Sequence, residues 1–254
     1  MFELTGKRAL IVGVANEHSI AWGVAQNLRR AGAELAITYL NAKAERYVRP
    51  LAESIGAAII QPLDVTRDEQ EAPLFEHIQH DWGGLDILVH SIAFAPHDDL
   101  HGRVADASSP GFALAMDVSV HSFIRLVRRA EPLMTQGGAC LTMSFYGAEK
   151  VVAAYNVMGP VKAALEAVTR ELASELGPKN ITVNALSPGP MATRAASGID
   201  HFDEMMSAAI TRSAMKRLAT IEDVGAAAAF LASDLARNIT GSVLHVDAGY
   251  HIMG

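Results

Sequence analysis

Short runs of consecutive apolar positions alternate along the chain with longer runs in which apolar residues recur every three or four positions. The short runs are ALIVG (9–13), ELAITYL (34–40), AAIIQPLD (57–64), LDILVHS (85–91), ACLTMS (139–144), ITVNALS (181–187) and SVLHVD (242–247). They read as strands with no polar face, which suits a parallel sheet covered on both sides. The longer stretches predict helices near 19–31, 43–55, 68–82, 112–134, 157–176 and 221–233. Seven strands with helical crossovers define the expected class: α/β, one doubly wound domain over 1–254, with a seven-stranded parallel sheet and right-handed connections. The least regular stretch, about 188–220, is expected to leave the sheet as a substrate loop or lid.

Composition narrows this only modestly. The chain has 254 residues, half of them apolar and 19% charged, with few aromatics. Its net charge of −7 argues against a nucleic-acid partner. The single cysteine, Cys140, excludes an intrachain disulfide framework and fits a reducing compartment. MFELTGKRALIVG lacks the basic, apolar and small-residue regions of a signal peptide, and no apolar run reaches the length of a membrane span. The expectation is a cytoplasmic protein without a membrane partner. The ten histidines are scattered at no recognisable ligand spacing, so no metal site is expected.

Candidate chemistry starts after the first strand. Gly13-Val14-Ala15-Asn16-Glu17-His18-Ser19-Ile20-Ala21-Trp22-Gly23 offers small residues for close backbone approach to a pyrophosphate, followed by the free N–H groups of a helix start. Ser19 is placed to cap that helix and to bond a phosphate oxygen. The spacing is not G-x-G-x-x-G, and a glycine turn that merely packs would look the same. At the end of the second strand stands Thr38-Tyr39-Leu40-Asn41. No acid is there to meet ribose hydroxyls, and no arginine follows to meet a 2′-phosphate; the expectation leans to NADH, with NADPH left open. Lys43 reads as a solvated helix charge. Asp64, before Val65, could accept from an adenine amino group or simply cap the next helix. His90-Ser91-Ile92-Ala93-Phe94-Ala95 offers further small residues beside a cofactor.

Two tyrosine–lysine pairs compete for the catalytic role. Tyr146 and Lys150 have the Tyr-x3-Lys spacing of most short-chain dehydrogenases; Tyr155 and Lys162 have Tyr-x6-Lys. Position favours the second pair. Lys150 precedes VVAAY, which opens no helix, whereas Lys162 runs directly into an amphipathic helix. Seven residues are close to two turns, so Tyr155 and Lys162 are expected on one helical face. Pro160 is tolerable only in a first turn, which places the helix start near 157–159. A buried tyrosine with a satisfied hydroxyl would show the same spacing.

GVANEHSIAWG, HSIAFAP followed by DLHGRV, AMDVSVHSFIRL, YGAEKV, YNVMG-x-x-KAALE, NALSPGPMATRAASGI and TIEDVG together resemble the bacterial enoyl-acyl-carrier-protein reductases of the short-chain dehydrogenase type, essentially from end to end. The resemblance implies a Rossmann-like fold, a homotetramer and reduction of the trans-2 double bond of an enoyl thioester. It implies dinucleotide contacts from Gly13, Ser19, Ile20, Asp64, Val65, Ile92, Lys162, Met191, Ala192, Thr193, Arg194 and Ala195. Leu40 stands where the family has a glutamine facing adenosine. Ala95, Met158, Pro190, Ala195, Ile199, Phe202 and Met205 would border the acyl group, although Met205 alone reads as core. Tyr155 would stabilise the enolate oxygen, and Lys162 would hold the ribose and add positive potential.

The chain departs from this pattern twice. Phe145 occupies the position of the family's second tyrosine; Tyr146, one residue on, should face the other way. Ile199-Asp200-His201-Phe202-Asp203-Glu204-Met205 carries three acids where the family carries Lys and Arg toward an acidic carrier protein. Like charges would slow encounter with that partner. This keeps open an alternative: a reductase of the same fold acting on an enoyl-CoA or another conjugated carbonyl.

Overall fold

The computed structural model describes residues 3–191, 193 and 202–253. The chain runs β1 (Arg8–Val12), α1 (Ile20–Arg30), β2 (Glu34–Tyr39), α2 (Ala42–Ser54), β3 (Ile59–Pro62), α3 (Asp68–Trp82), β4 (Ile87–His90), α4 (His97–His101), α5 (Ser109–Met116), α6 (Ser122–Ala130), β5 (Gly138–Met143), α7 (Met158–Leu176), β6 (Ile181–Pro188), α8 (Phe202–Arg212), α9 (Ile221–Leu231) and β7 (Val243–Val246). All seven strands are parallel, in the order β3-β2-β1-β4-β5-β6-β7. The expected doubly wound sheet is therefore present. Its order reverses between β1 and β4, the place where such sheets open a crevice at their carboxyl ends.

The sheet is buried on both faces. One face packs Leu10, Leu88 and Cys140 under Leu74, Ile78, Phe123, Val161 and Leu165 of α3, α6 and α7. The other packs Ile11, Ile37 and Leu141 under Val24, Leu28, Val48 and Ala228 of α1, α2 and α9. Each large side chain fully removed from water here contributes on the order of 1.5–3 kcal/mol. Helices α1 and α9 cross at Gly23 and Gly225, where a Cβ on either residue would overlap backbone of the other helix.

Local chemistry explains several helix boundaries. Asn41 caps α2 by accepting from the backbone N–H groups of Lys43 and Ala44, and Thr220 and Asp223 form a capping box on α9. Helix α7 starts at Met158, so Pro160 lies in the first turn, where its missing N–H costs nothing. Met158, Val161, Lys162, Leu165, Glu166, Thr169 and Leu172 form its inward stripe at spacings of three and four.

One predicted helix is broken. The stretch 112–134 is α5 and α6 joined by a π-helical turn, Asp117–His121, and ended by a short 3₁₀ turn. The wider turn lets the Ser119 hydroxyl accept from the Phe94 N–H at 3.0 Å and donate to the Phe94 carbonyl at 3.2 Å. That double bond pattern holds the segment after β4. No described helix is long and apolar enough to cross a membrane, and no cluster of metal-ligating side chains occurs among the described residues.

Candidate active site

A cleft with about 200 Å³ of free volume opens at the carboxyl ends of β4, β5 and β6, beside the switch point. Tyr155, Lys162, Phe145, Met158, Ile20, Ile92, Ala95, Pro190, Met191 and Thr193 all line it, so most described residues of the sequence-based set come together.

Gly13 and Ser19 do not line the cleft themselves, but Gly13 lies against Ser91, which does. The Gly13 φ of +116° is one that L side chains rarely adopt, and a Cβ would overlap the Ser91 carbonyl oxygen. Only glycine lets the turn after β1 lie against the segment after β4. Ser19 takes the N-cap position of α1 but does not cap it. Its oxygen instead accepts from the Ala15 and Asn16 N–H groups, both at 3.0 Å. The hydroxyl therefore organises the turn and leaves the helix's own N–H groups to another acceptor, a correction to the capping role expected.

Tyr155 precedes α7 and is not on its face, contrary to the two-turn expectation. It sits between Ala154 and Asn156, which have φ of +61° and +43°. Asparagine tolerates this left-handed conformation better than most residues. The Asn156 amide also donates to the Leu100 carbonyl at 2.6 Å, tying the tyrosine loop to α4. The Tyr155 ring packs on Phe145, with centroids 4.6 Å apart and planes tilted by 56°. The ring also touches Gly147, where a Cβ would overlap it. Burial pushes the Tyr155 hydroxyl's pKa upward, so it stays protonated and able to donate.

Lys162 projects from the first turns of α7 and is only 4% exposed. Its Nζ donates to the Met143 carbonyl at 2.6 Å. Burial lowers its pKa to about 8, opposed by the negative charge of Glu166. Near neutral pH it is thus predominantly an ammonium, in a low-dielectric site where charge acts strongly.

The competing pair does not line the cleft. Tyr146 turns away from the cleft to meet Tyr250 edge-on at 5.6 Å, with the Arg212 guanidinium 4.9 Å from the Tyr250 ring centre. Lys150 is exposed. Tyr146 does not stand in for the tyrosine replaced by Phe145.

Leu40, Asp64 and Val65 do not line this cleft. Leu40 is 53% exposed at the end of β2. Asp64 does not cap α3, whose N-cap is Arg67. Its Oδ1 accepts from the Thr66 N–H at 3.0 Å and hydroxyl at 2.7 Å. Val65 is buried and its carbonyl accepts from Arg125. Ala192, Arg194, Ala195 and Ile199, with the side chains of Phe202 and Met205, lie outside the described residues.

Sequence reasoning missed Leu100, Met143 and Ser144, which also line the cleft. It also missed His90 and Glu166, buried polar residues behind it. Only a polar residue inside an apolar run hinted at the last two.

A glycine turn at the switch point of a parallel sheet, with a buried tyrosine and lysine in one cleft beside it, defines the dinucleotide-binding reductase class of α/β proteins. Comparisons specify it further. The family model described as enoyl-(acyl carrier protein) reductase matches residues 13–251. The NADH-dependent enoyl-acyl-carrier-protein reductase of Nostoc sp. is 49% identical over 100% of both chains. The crystal structure of the Anaplasma phagocytophilum enoyl-acyl-carrier-protein reductase in complex with NAD is 46% identical, covers 100% of this chain and 97% of that one, and superposes with a TM-score of 0.96. The Bacillus cereus enzyme, solved with NADP⁺ and an indole naphthyridinone, is 45% identical over 100% of both chains, with a TM-score of 0.97. This chain belongs to the enoyl-acyl-carrier-protein reductase family.

Proposed function

We propose that this chain reduces the trans-2 double bond of enoyl thioesters carried on acyl-carrier protein, with NADH as reductant, in fatty acid synthesis. The observation that carries the reading is the placement of Tyr155 and Lys162 in one cleft at the switch point of the sheet. The residues present fit a dinucleotide. The turn at Gly13 leaves no room for a Cβ, no described side chain caps α1, and the buried Lys162 ammonium faces the cleft. Gly13, Ser19, Ile20, Ile92, Lys162 and the segment 191–195 would hold it, with Asp64 and Val65 toward the adenine and Leu40 flanking it.

NADH, when bound, supplies a hydride for the β-carbon. The remaining work belongs to the chain's own side chains. As negative charge develops on the thioester oxygen, the protonated Tyr155 hydroxyl donates to it, and the Lys162 ammonium adds positive potential without moving. Phe145 supports the Tyr155 ring and supplies an apolar wall, which keeps water from competing for that oxygen. Ala95, Met158 and Pro190 form the apolar border of the acyl group, joined in this reading by Ile199, Phe202 and Met205. The chain acts as one dinucleotide-binding unit with a substrate loop over about 188–220, assembles as a homotetramer and works in the cytoplasm.

The test is kinetic. Loss of NADH absorbance is followed with crotonyl-carrier protein and crotonyl-CoA, using wild type and Tyr155→Phe. Carrier linkage is expected to raise kcat/KM, and Tyr155→Phe to lower kcat by about 10²–10³ with NADH affinity retained. Equal kcat/KM for both thioesters would refute the carrier assignment, and an unimpaired Tyr155→Phe would refute the mechanism. The acids Asp200, Asp203 and Glu204 make the first comparison informative, since they repel an acidic partner.

A further inference from the structure

We propose that Glu166 is a positioning residue for this reaction: its carboxylate, held by the Ser144 hydroxyl one helical turn from Lys162, keeps Lys162 seated on the Met143 carbonyl as an ammonium. The inference rests on the role given to Lys162 above.

Glu166 follows Lys162 by four residues in α7, which puts both side chains on one helical face. That face is buried, and Glu166 is only 8% exposed. A carboxylate in such a place needs a specific partner. Ser144 supplies it, its Oγ donating to Glu166 Oε1 at 2.5 Å. The residue before Ser144 is Met143, whose carbonyl accepts from Lys162 Nζ at 2.6 Å. Two adjacent residues at the end of β5 are therefore stapled to α7 by two bonds one turn apart. Phe145, the support of Tyr155, follows directly.

The electrostatics run in the same direction. Burial alone drives Lys162 toward the neutral amine, and the negative charge of Glu166 opposes this. Burial also raises the Glu166 pKa, and the Ser144 hydrogen bond works against that. So Ser144 favours the charged glutamate, and the charged glutamate favours the charged lysine. The other groups near the pair are His90, which feels the Lys162 charge, Tyr155, which lines the same cleft, and Glu149, His245 and Arg170 around Glu166. Glu149 is a like charge and opposes ionisation of Glu166, while His245 and Arg170 favour it.

Glu166→Gln keeps the size and an acceptor for Ser144 but removes the charge. NADH dissociation constants and kcat/KM are measured across the neutral-to-alkaline range for wild type, Glu166→Gln, Glu166→Asp and Ser144→Ala. The alkaline limb of both profiles is expected to move to lower pH by about one unit in Glu166→Gln, with Glu166→Asp restoring part of it. Limbs that superimpose on wild type, or a uniform loss at every pH, would overturn the proposal. If Glu166→Gln fails to fold, Ser144→Ala decides, with a smaller shift in the same direction expected and no shift fatal. Should wild type bind NADH but reduce no enoyl thioester, the functional reading fails, while the NADH-affinity profiles still test Glu166.

Discussion

Lowering the pH from about 7 to about 5 should destabilise the fold through His90, the last residue of β4. The ring is fully buried. The Ser122 hydroxyl donates to the Val118 carbonyl at 2.7 Å, so toward His90 Nε2, 2.8 Å away, it can only accept. Nε2 therefore carries the hydrogen, and Nδ1 accepts from the Thr142 hydroxyl at 3.0 Å. The neutral ring is satisfied at both nitrogens. A second proton would bring a charge into the core beside the Lys162 ammonium; burial first, and that charge second, hold the pKa down at about 3. In the unfolded chain a histidine titrates near 6.5. The folded pKa is the lower one, so this stabilisation is complete above the unfolded value and drains away as pH falls toward the folded value. Between about pH 7 and pH 5 the loss from this one group is about 2 kcal/mol, and over the whole shift about 5 kcal/mol. Urea unfolding of wild type and His90→Gln at fixed protein concentration measures it. Wild type should lose about 2 kcal/mol more than the variant over that interval. Equal losses would refute the tautomer and the buried neutral state together.

Other outcomes follow from the same geometry. Gly147→Ala should push the Tyr155 ring out of place and lower kcat/KM by about tenfold or more, with NADH affinity little changed; full activity would disprove the contact. Gly13→Ala forces a Cβ onto the Ser91 carbonyl at a positive φ and should cost about 1–3 kcal/mol in thermal unfolding, together with dinucleotide affinity. Asn156→Ala loses both the bond to Leu100 and a residue suited to φ +43°, and should reduce kcat more than Asn156→Gly. Cys140 is buried, with its thiol pKa pushed up to about 12; it should resist a thiol reagent in the native protein and react at once in denaturant.

Much of the site was legible because its signals are local. Strands with no polar face suit a parallel sheet covered on both sides, and five of the six predicted helices fall where the structure has them. The Tyr155/Lys162 pair stood out by spacing and by the helix that Lys162 leads. The misreadings also share a cause. Ser19 looked like a helix cap, yet its hydroxyl folds back on Ala15 and Asn16. Tyr155 and Lys162 looked like neighbours on one helix, yet the backbone at Ala154 and Asn156 turns left-handed and leaves Tyr155 in a loop. Local propensity does not register such turns when the residues are not glycine. The π-helical turn at Asp117–His121 left the apolar periodicity looking continuous.

The amino-acid sequence by itself determined the order of the strands and of most helices, the glycine turn after the first strand and the Tyr-x6-Lys spacing, since each depends on residues close in the chain. Tertiary structure alone decided what surrounds that pair. His90 meets Thr142 and Ser122 across 52 and 32 residues, and Ser144 meets Glu166 across 22. Those separations close only when the sheet assembles beneath α6 and α7. The charge states of Lys162, Glu166 and His90 are set there because burial, not spacing, removes the water that would otherwise hold each at its ordinary value.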